Sequence, residues 1–234
     1  MIPKKIHYIW IGKNKPESLK KTIDTWKKRA PNYSLIEWNE KKLPNFDNKF
    51  YQEALKNGDY AFASDYARLK ILYKYGGIYM DTDMYLLRNP TKILTNKQLV
   101  FGIQNSKILF SAGFIAAIPK QEFIGEAINF YDEVNYNDVY KRPNTELLSP
   151  IICKMYNFDH NNRTQFRKNG TVVAYNSNVL LQPSFHSIAM HIGEKSWATH
   201  NKHDDLRIKL RRHIKNQFSA GTFSILNNTF RKIL

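Results

Sequence analysis

The amino-acid sequence predicts a single α/β domain with a mostly parallel central sheet flanked by helices. Short apolar runs alternate with helix-period stretches from the N-terminus onward. A long apolar helix then runs through Gly76-Gly77 directly into another strand. The 234 residues are 42% hydrophobic and 14% aromatic, enough to build a core without staples.

Each element has a local reason. Residues 5 to 11, bounded by Pro3 and Gly12, read as the first strand. Pro16 suits a first helical position, and Leu19, Ile23, Trp26 and Ala30 follow on one face until Pro31 stops the helix. Residues 33 to 38 form the second strand, with Asn39 and Glu40 just past its end. The stretch FASDYARLKILYKY is a buried helix with one stripe of Phe62, Tyr66, Leu69 and Tyr73. A neighbouring stripe of Ala61, Asp65, Arg68 and Leu72 makes Asp65 and Arg68 i, i+3 partners. Gly76 provides a left-handed cap, and a strand over 78 to 81 follows. Further strands are expected at 99–104 and 110–118, helices at 122–134 and 145–158, and a strand pair around 171–174 and 179–182. A basic amphipathic helix over about 204–218 comes last. No repeat or linker interrupts the chain, so one domain is expected over residues 1–234.

Lys+Arg 36 against Asp+Glu 20 leaves +16, which favours a polyanionic partner. The lone Cys153 allows no intramolecular disulfide and suits a reducing compartment. MIPKKIHYIWIG enters a strand without a signal-peptide pattern, and no apolar run approaches the roughly 18 residues of a spanning helix. A cytoplasmic location is therefore expected.

The informative stretch is YGGIYMDTDM at 75–84. Strand alternation would put Asp81 and Asp83 on one face, about 6.6 Å apart along the backbone. Two such carboxylates repel unless a cation or a proton sits between them. Hard divalent cations accept these ligands, and Mg²⁺ in particular is held by one or two carboxylates plus substrate phosphates. The end of a strand in an open α/β sheet is also where ligands bind. A solvent-facing acidic loop would explain an isolated D-x-D, but the apolar flanks argue for burial. Asp65 and Arg68 read the same way: an exposed ion pair would contribute little, whereas a buried one is suited to gripping hydroxyls.

The blocks IPKKIHYIWIG at 2–12, ASDYARLKILYKYGGIYMDTDM within 61–84 and AMHIGEKSW at 189–197 resemble glycosyltransferase family 32. This is a D-x-D family of capsular-polysaccharide and mannosyl enzymes, related to large glucosylating toxins. The resemblance implies a GT-A, Rossmann-like nucleotide-sugar-binding fold, a UDP-sugar donor, a saccharide acceptor, Mn²⁺ or Mg²⁺ as cofactor, and retention at the anomeric carbon. It places Trp10 against the base, Asn39 in the region that meets the base, and Tyr79 among the donor-binding residues. It gives Asp65 and Arg68 to ribose and sugar hydroxyls, Asp81 to ribose and sugar beside the metal, and Asp83 to the metal. Asp81 and Asp83 are thus the expected catalytic pair. His191 and Ser196 would lie at the metal–diphosphate end and Trp197 at a phosphate oxygen, with Glu194 competing with His191 as ligand.

No residue stands out as a nucleophile. A double displacement needs a carboxylate about 5 Å from its partner, and front-face attack stays open beside it. Two other classes compete. A haloacid-dehalogenase-like phosphatase would use Asp81 as nucleophile, but that pattern continues to Thr or Val where this chain has Tyr85. A noncatalytic polyanion-binding module would explain the charge and leave the acids unexplained, so nucleic acid is not the expected partner. The C-terminal helix, with Leu206, Leu210, Ile214 and Phe218 among Arg207, Lys209, Arg211, Arg212 and Lys215, is expected to meet the inner face of an anionic membrane, near a lipid-linked acceptor.

Overall fold

A computed structural model describes residues 1–12, 14–105, 107, 109–193 and 202–233. The chain opens with β1 (Lys5–Ile9), α1 (Glu17–Arg29) and β2 (Ser34–Trp38). Helix α1 carries Glu17 in its first turn and Lys27, Lys28 and Arg29 in its last, matching the helix dipole, and buries Leu19, Thr22 and Trp26. Next come α2 (Lys49–Lys56), whose N-cap Asn48 accepts from Tyr51 N, then α3 (Tyr60–Tyr75), β3 (Gly77–Met80), β4 (Met84–Leu86) and α4 (Thr91–Leu94). The middle holds β5 (Leu99–Ile103), β6 (Phe110–Ala117), α5 (Glu122–Glu133), a short 3₁₀ turn at Tyr136–Val139 and α6 (Asn144–Tyr156). The last part has β7 (Gln165–Arg167), β8 (Val172–Tyr175), α7 (Ser177–Leu180), β9 (Ala189–His191), α8 (Lys202–Arg212) and α9 (Gln217–Ile233).

Seven strands form the main sheet in the order β2-β1-β3-β6-β5-β8-β7. Five of them run one way, with β6 and β7 reversed. One face packs on α2, α3, α5 and α6 through residues such as Phe50, Leu69, Phe123 and Leu148. The other face packs on α1 and α7 through Trp26 and Leu180. A second, two-stranded sheet pairs β4 with β9, Met84 opposite His191. Its outer side is covered by Ile208 and Ala220 from the C-terminal helices and Ile214 from the link between them. Among the described residues no helix is long and apolar enough to cross a membrane.

Four expectations change. Strand β3 stops at Met80, so Asp81 to Asp83 form a turn rather than part of a strand. Residues 177–180 are helical, because the Asn176 side chain caps that turn by accepting from Asn178 N; the partner of β8 is β7. The single C-terminal helix is two: Asn216 Oδ1 accepts from Ser219 N and starts α9, while Ile214 between the helices is buried. Tyr73, placed on the apolar stripe of α3, is exposed.

Candidate functional site

The site lies at the C-terminal ends of three adjacent parallel strands, β2, β1 and β3. After Met80 the chain turns sharply: Asp81 N donates to Gly113 O at 2.9 Å, and Met84 N donates to Asp81 O at 3.0 Å. The two carboxylates therefore converge through a turn, and the alternation argument for them is replaced. The turn delivers the chain to β4, whose pairing with β9 brings in His191. His191 Nε2 lies 2.9 Å from Asp83 Oδ1. Gly193 N donates to Asp83 Oδ2 at 3.2 Å and Ile192 N to Asp83 O at 2.9 Å. One ligand atom each from Asp81, Asp83 and His191 lies within 4.8 Å of the others. Burial disfavours the imidazolium of His191, but Asp83 and then Asp81 outweigh it and raise its pKa.

Helix α3 supplies the next layer. Arg68 Nη2 pairs with Asp65 Oδ1 at 2.9 Å, and Nη1 pairs with Asp81 Oδ1 at 3.2 Å. Its remaining donors reach Ala112 O, Ser64 O and Ser64 Oγ, and the guanidinium lies 4.6 Å from the Tyr79 ring centroid. Asp65 and Arg68 are both buried, so the exposed-pair reading fails. Burial lifts the Asp65 carboxyl to about 7, with Arg68 opposing the lift and Asp81 adding to it. A buried cation between two carboxylates holds all three in fixed orientation.

Trp10 and Asn39 stand just past the paired ends Ile9 and Trp38. Trp10 N donates to Trp38 O at 2.8 Å, and its ring is half-buried just past the C-terminal end of β1. The Trp10 Nε1 atom is buried with no hydrogen-bond partner among the described residues. Asn39 bonds Glu37 Oε1 and Lys41 N. The structure thus gathers Asp65, Arg68, Tyr79, Asp81, Asp83 and His191, and sets Trp10 and Asn39 on the adjoining strand ends. Ser196, Trp197 and the competing Glu194 lie outside the described residues.

Three residues escaped sequence reasoning. Asn144, at the start of α6, donates from Nδ2 to Asp65 Oδ1 at 2.6 Å. No local pattern marks it, because the contact spans 79 positions. Gly113 in β6 leaves room for the acidic turn: a β-carbon there would sit 3.2 Å from Asp81 Oδ2 and 3.4 Å from Met84 Sδ. A glycine inside a strand is a readable sign of such close approach. Arg211, read as part of a basic outer face, is buried instead and donates to His191 O and Gln182 Oε1, both at 2.7 Å.

Two carboxylates and an imidazole suit a hard or borderline divalent cation. Octahedral Mg²⁺ holds its ligands at about 2.1 Å. Adjacent ligands of such an ion lie about 3.0 Å apart and opposite ones about 4.2 Å, so side chains whose ligand atoms lie within 4.8 Å of one another would draw in to close on it.

Residues 16–100 match the family model described as a glycosyltransferase sugar-binding region containing a DXD motif. Inositol phosphoceramide mannosyltransferase 1 of Schizosaccharomyces pombe is 29% identical over 164 residues, covering 67% of this chain and 51% of that protein. Lactosylceramide 4-alpha-galactosyltransferase of Mus musculus is 37% identical over 93 residues, covering 39% of this chain and 24% of that protein. The chain thus spans about half the length of the first of these relatives or less. Among solved structures, PaToxG glycosyltransferase superposes with a TM-score of 0.53 at 21% identity, covering 66% of this chain and 70% of that one. That likeness shows the GT-A fold.

Proposed function

We infer that the chain is a glycosyltransferase of the kind that carries a DXD-containing sugar-binding region, and that it moves a hexose from a UDP-linked sugar to a saccharide acceptor. The observation that carries the reading is Arg68 held between Asp65 and Asp81, beside the Asp83–His191 pair. Trp10 stacks on the base and Asn39 borders it; such stacking contributes roughly 1–3 kcal/mol per base in nucleic-acid systems. Asp65 and Arg68 grip ribose and sugar hydroxyls, Tyr79 backs the guanidinium, and Asn144 keeps Asp65 in orientation. Asp81, Asp83 and His191 would hold Mn²⁺ or Mg²⁺, which would supply positive charge to neutralise a diphosphate leaving group. Retention at the anomeric carbon, and action as one domain over residues 1–234, belong to the same reading. A phosphatase would need Asp81 as an attacking oxygen, whereas its pairing with Arg68 suits a positioning charge.

Both relatives carry a ceramide-bearing acceptor in their names. A lipid-borne saccharide is therefore the acceptor class proposed, met at the inner face of the cytoplasmic membrane in bacterial surface polysaccharide or oligosaccharide synthesis. The test is sugar release from a panel of UDP- and GDP-hexoses, with and without Mn²⁺. UDP-hexose should be cleaved only with metal, and Asp83→Ala should remain folded and inactive. Wild-type turnover by Asp83→Ala would overturn the assignment, and preference for a GDP-sugar would overturn the base alone.

A further inference from the structure

The two C-terminal helices turn a basic and apolar face away from the rest of the protein. Their inner sides are accounted for: Ile208, Ile214 and Ala220 are buried with Tyr85, Leu87, Met190 and Ile192. At 3.6 residues per turn, Leu206 and Leu210 each lie about 160° around α8 from Ile208. They are 56% and 49% exposed. On α9, Phe218 and Ile225 lie opposite the buried Ala220, 74% and 57% exposed, with Leu226 beside them at 54%. Phe185 extends this face: its ring packs edge-on to Phe218 at 6.1 Å, over Gly221, where a β-carbon would overlap it.

Isolated exposed hydrophobics are ordinary. Five on the outer faces of two consecutive helices form a surface. The charge around them has one sign, for the sequence beyond Asp205 contains no Asp or Glu. Lys209, between Leu206 and Leu210 in the chain, and Lys215, just before α9, are exposed. A helix that docked on protein through its leucines would bury them, whereas lysine and arginine beside an apolar face match headgroup phosphates above acyl chains.

We propose that the outer face of α8 and α9 docks on an anionic lipid bilayer. This rests on the lipid-borne-acceptor reading only for its purpose. The inner side of α8 is bolted to the site, since Arg211 Nη1 donates to His191 O at 2.7 Å. A helix with its side chains is about 10–12 Å thick, so the His191 end of the donor site stands roughly one helix diameter from the bound lipid surface.

Flotation of the chain with vesicles tests the proposal without any glycosyl transfer. The chain should float with phosphatidylcholine mixed with phosphatidylglycerol and stay behind with phosphatidylcholine alone. Lys209→Ala and Lys215→Ala should each weaken that binding about fivefold. Leu206→Ser with Leu210→Ser, and Phe218→Ser separately, should abolish flotation while the melting temperature holds. Asp83→Ala should float like the parent, which keeps failure of docking distinct from failure of the catalytic reading. Equal flotation with both vesicle types, none with either, or undiminished flotation of the serine variants overturns the proposal. So does a dimer in solution that the leucine substitutions split, because the face would then belong to a second copy.

Discussion

His7 lies within β1, buried, with both ring nitrogens engaged. Trp38 Nε1 donates to Nδ1 at 3.1 Å, so Nε2 carries the proton and donates to Gly76 O at 2.9 Å. Burial is the main force lowering its pKa to about 4, partly opposed by the Gly76 bond. Between about 4 and 6.5 the unfolded chain therefore binds more protons than the folded one, and stability falls as pH falls through that window. The loss should reach roughly 3 kcal/mol. Asp65, with its carboxyl raised to about 7, acts oppositely, since there the folded state holds the extra proton. Comparing urea midpoints of the parent and His7→Gln at several pH values cancels Asp65, and parallel profiles would refute the role given to His7. Asn144 offers a second residue-scale test. Its amide is a donor to a buried carboxyl, so Asn144→Ala should lower kcat/KM for UDP-hexose hydrolysis at least about tenfold, while Asn144→Ser, which keeps a donor, recovers part of it. Unchanged kinetics in the alanine variant would remove Asn144 from the site.

At the scale of elements, α1 anchors the small sheet. Trp26 Nε1 donates to Met84 O at 2.7 Å, and Leu86 N donates to Thr25 Oγ1 at 3.0 Å. Trp26→Phe keeps most of the buried ring and leaves the Met84 carbonyl without that donor, costing about 1–3 kcal/mol. Chemical denaturation should show that loss, and a stability equal to the parent's would mean the bond contributes nothing. Trp26 was legible as a core residue from its spacing with Leu19 and Ile23, but its polar atom was not, because its partner lies 58 positions away. The same division holds across the fold. Elements with a strong local period, such as α1, β5 and β6, were readable within a residue or two. The 177–180 segment was misread because its apolar residues suit a strand while the capping Asn176 decides otherwise. Asp65, Arg68, Asp81 and Asp83 were legible because charges interrupt apolar runs there. Asn144 carries no local signal and Arg211 reads as one of the basic residues of its helix, and only tertiary packing buries them.

For the whole molecule, the broadest measurement is thermal stability with ligand. A ligand at 100 times its dissociation constant stabilises the fold by about 2.7 kcal/mol, and in a domain this size each kcal/mol raises Tm by roughly 2–4 °C. UDP with Mn²⁺ should therefore raise Tm by about 5–11 °C, either alone much less, and neither should act on Asp83→Ala. A shift with UDP that ignores metal would detach nucleotide binding from the acidic turn. The pairing of β4 with β9 carries one more consequence, for the order in which the molecule is made. Asp83 and the backbone it meets at Gly193 are 110 residues apart. At about 5–20 residues per second on the ribosome, the acidic turn waits roughly 5–20 s for its partner strand. All seven strands of the main sheet emerge by Tyr175, ahead of that strand. The nascent chain can therefore fold its scaffold before the proposed set of cation ligands is complete, and on that proposal it would not capture metal in the native geometry while still half-synthesised.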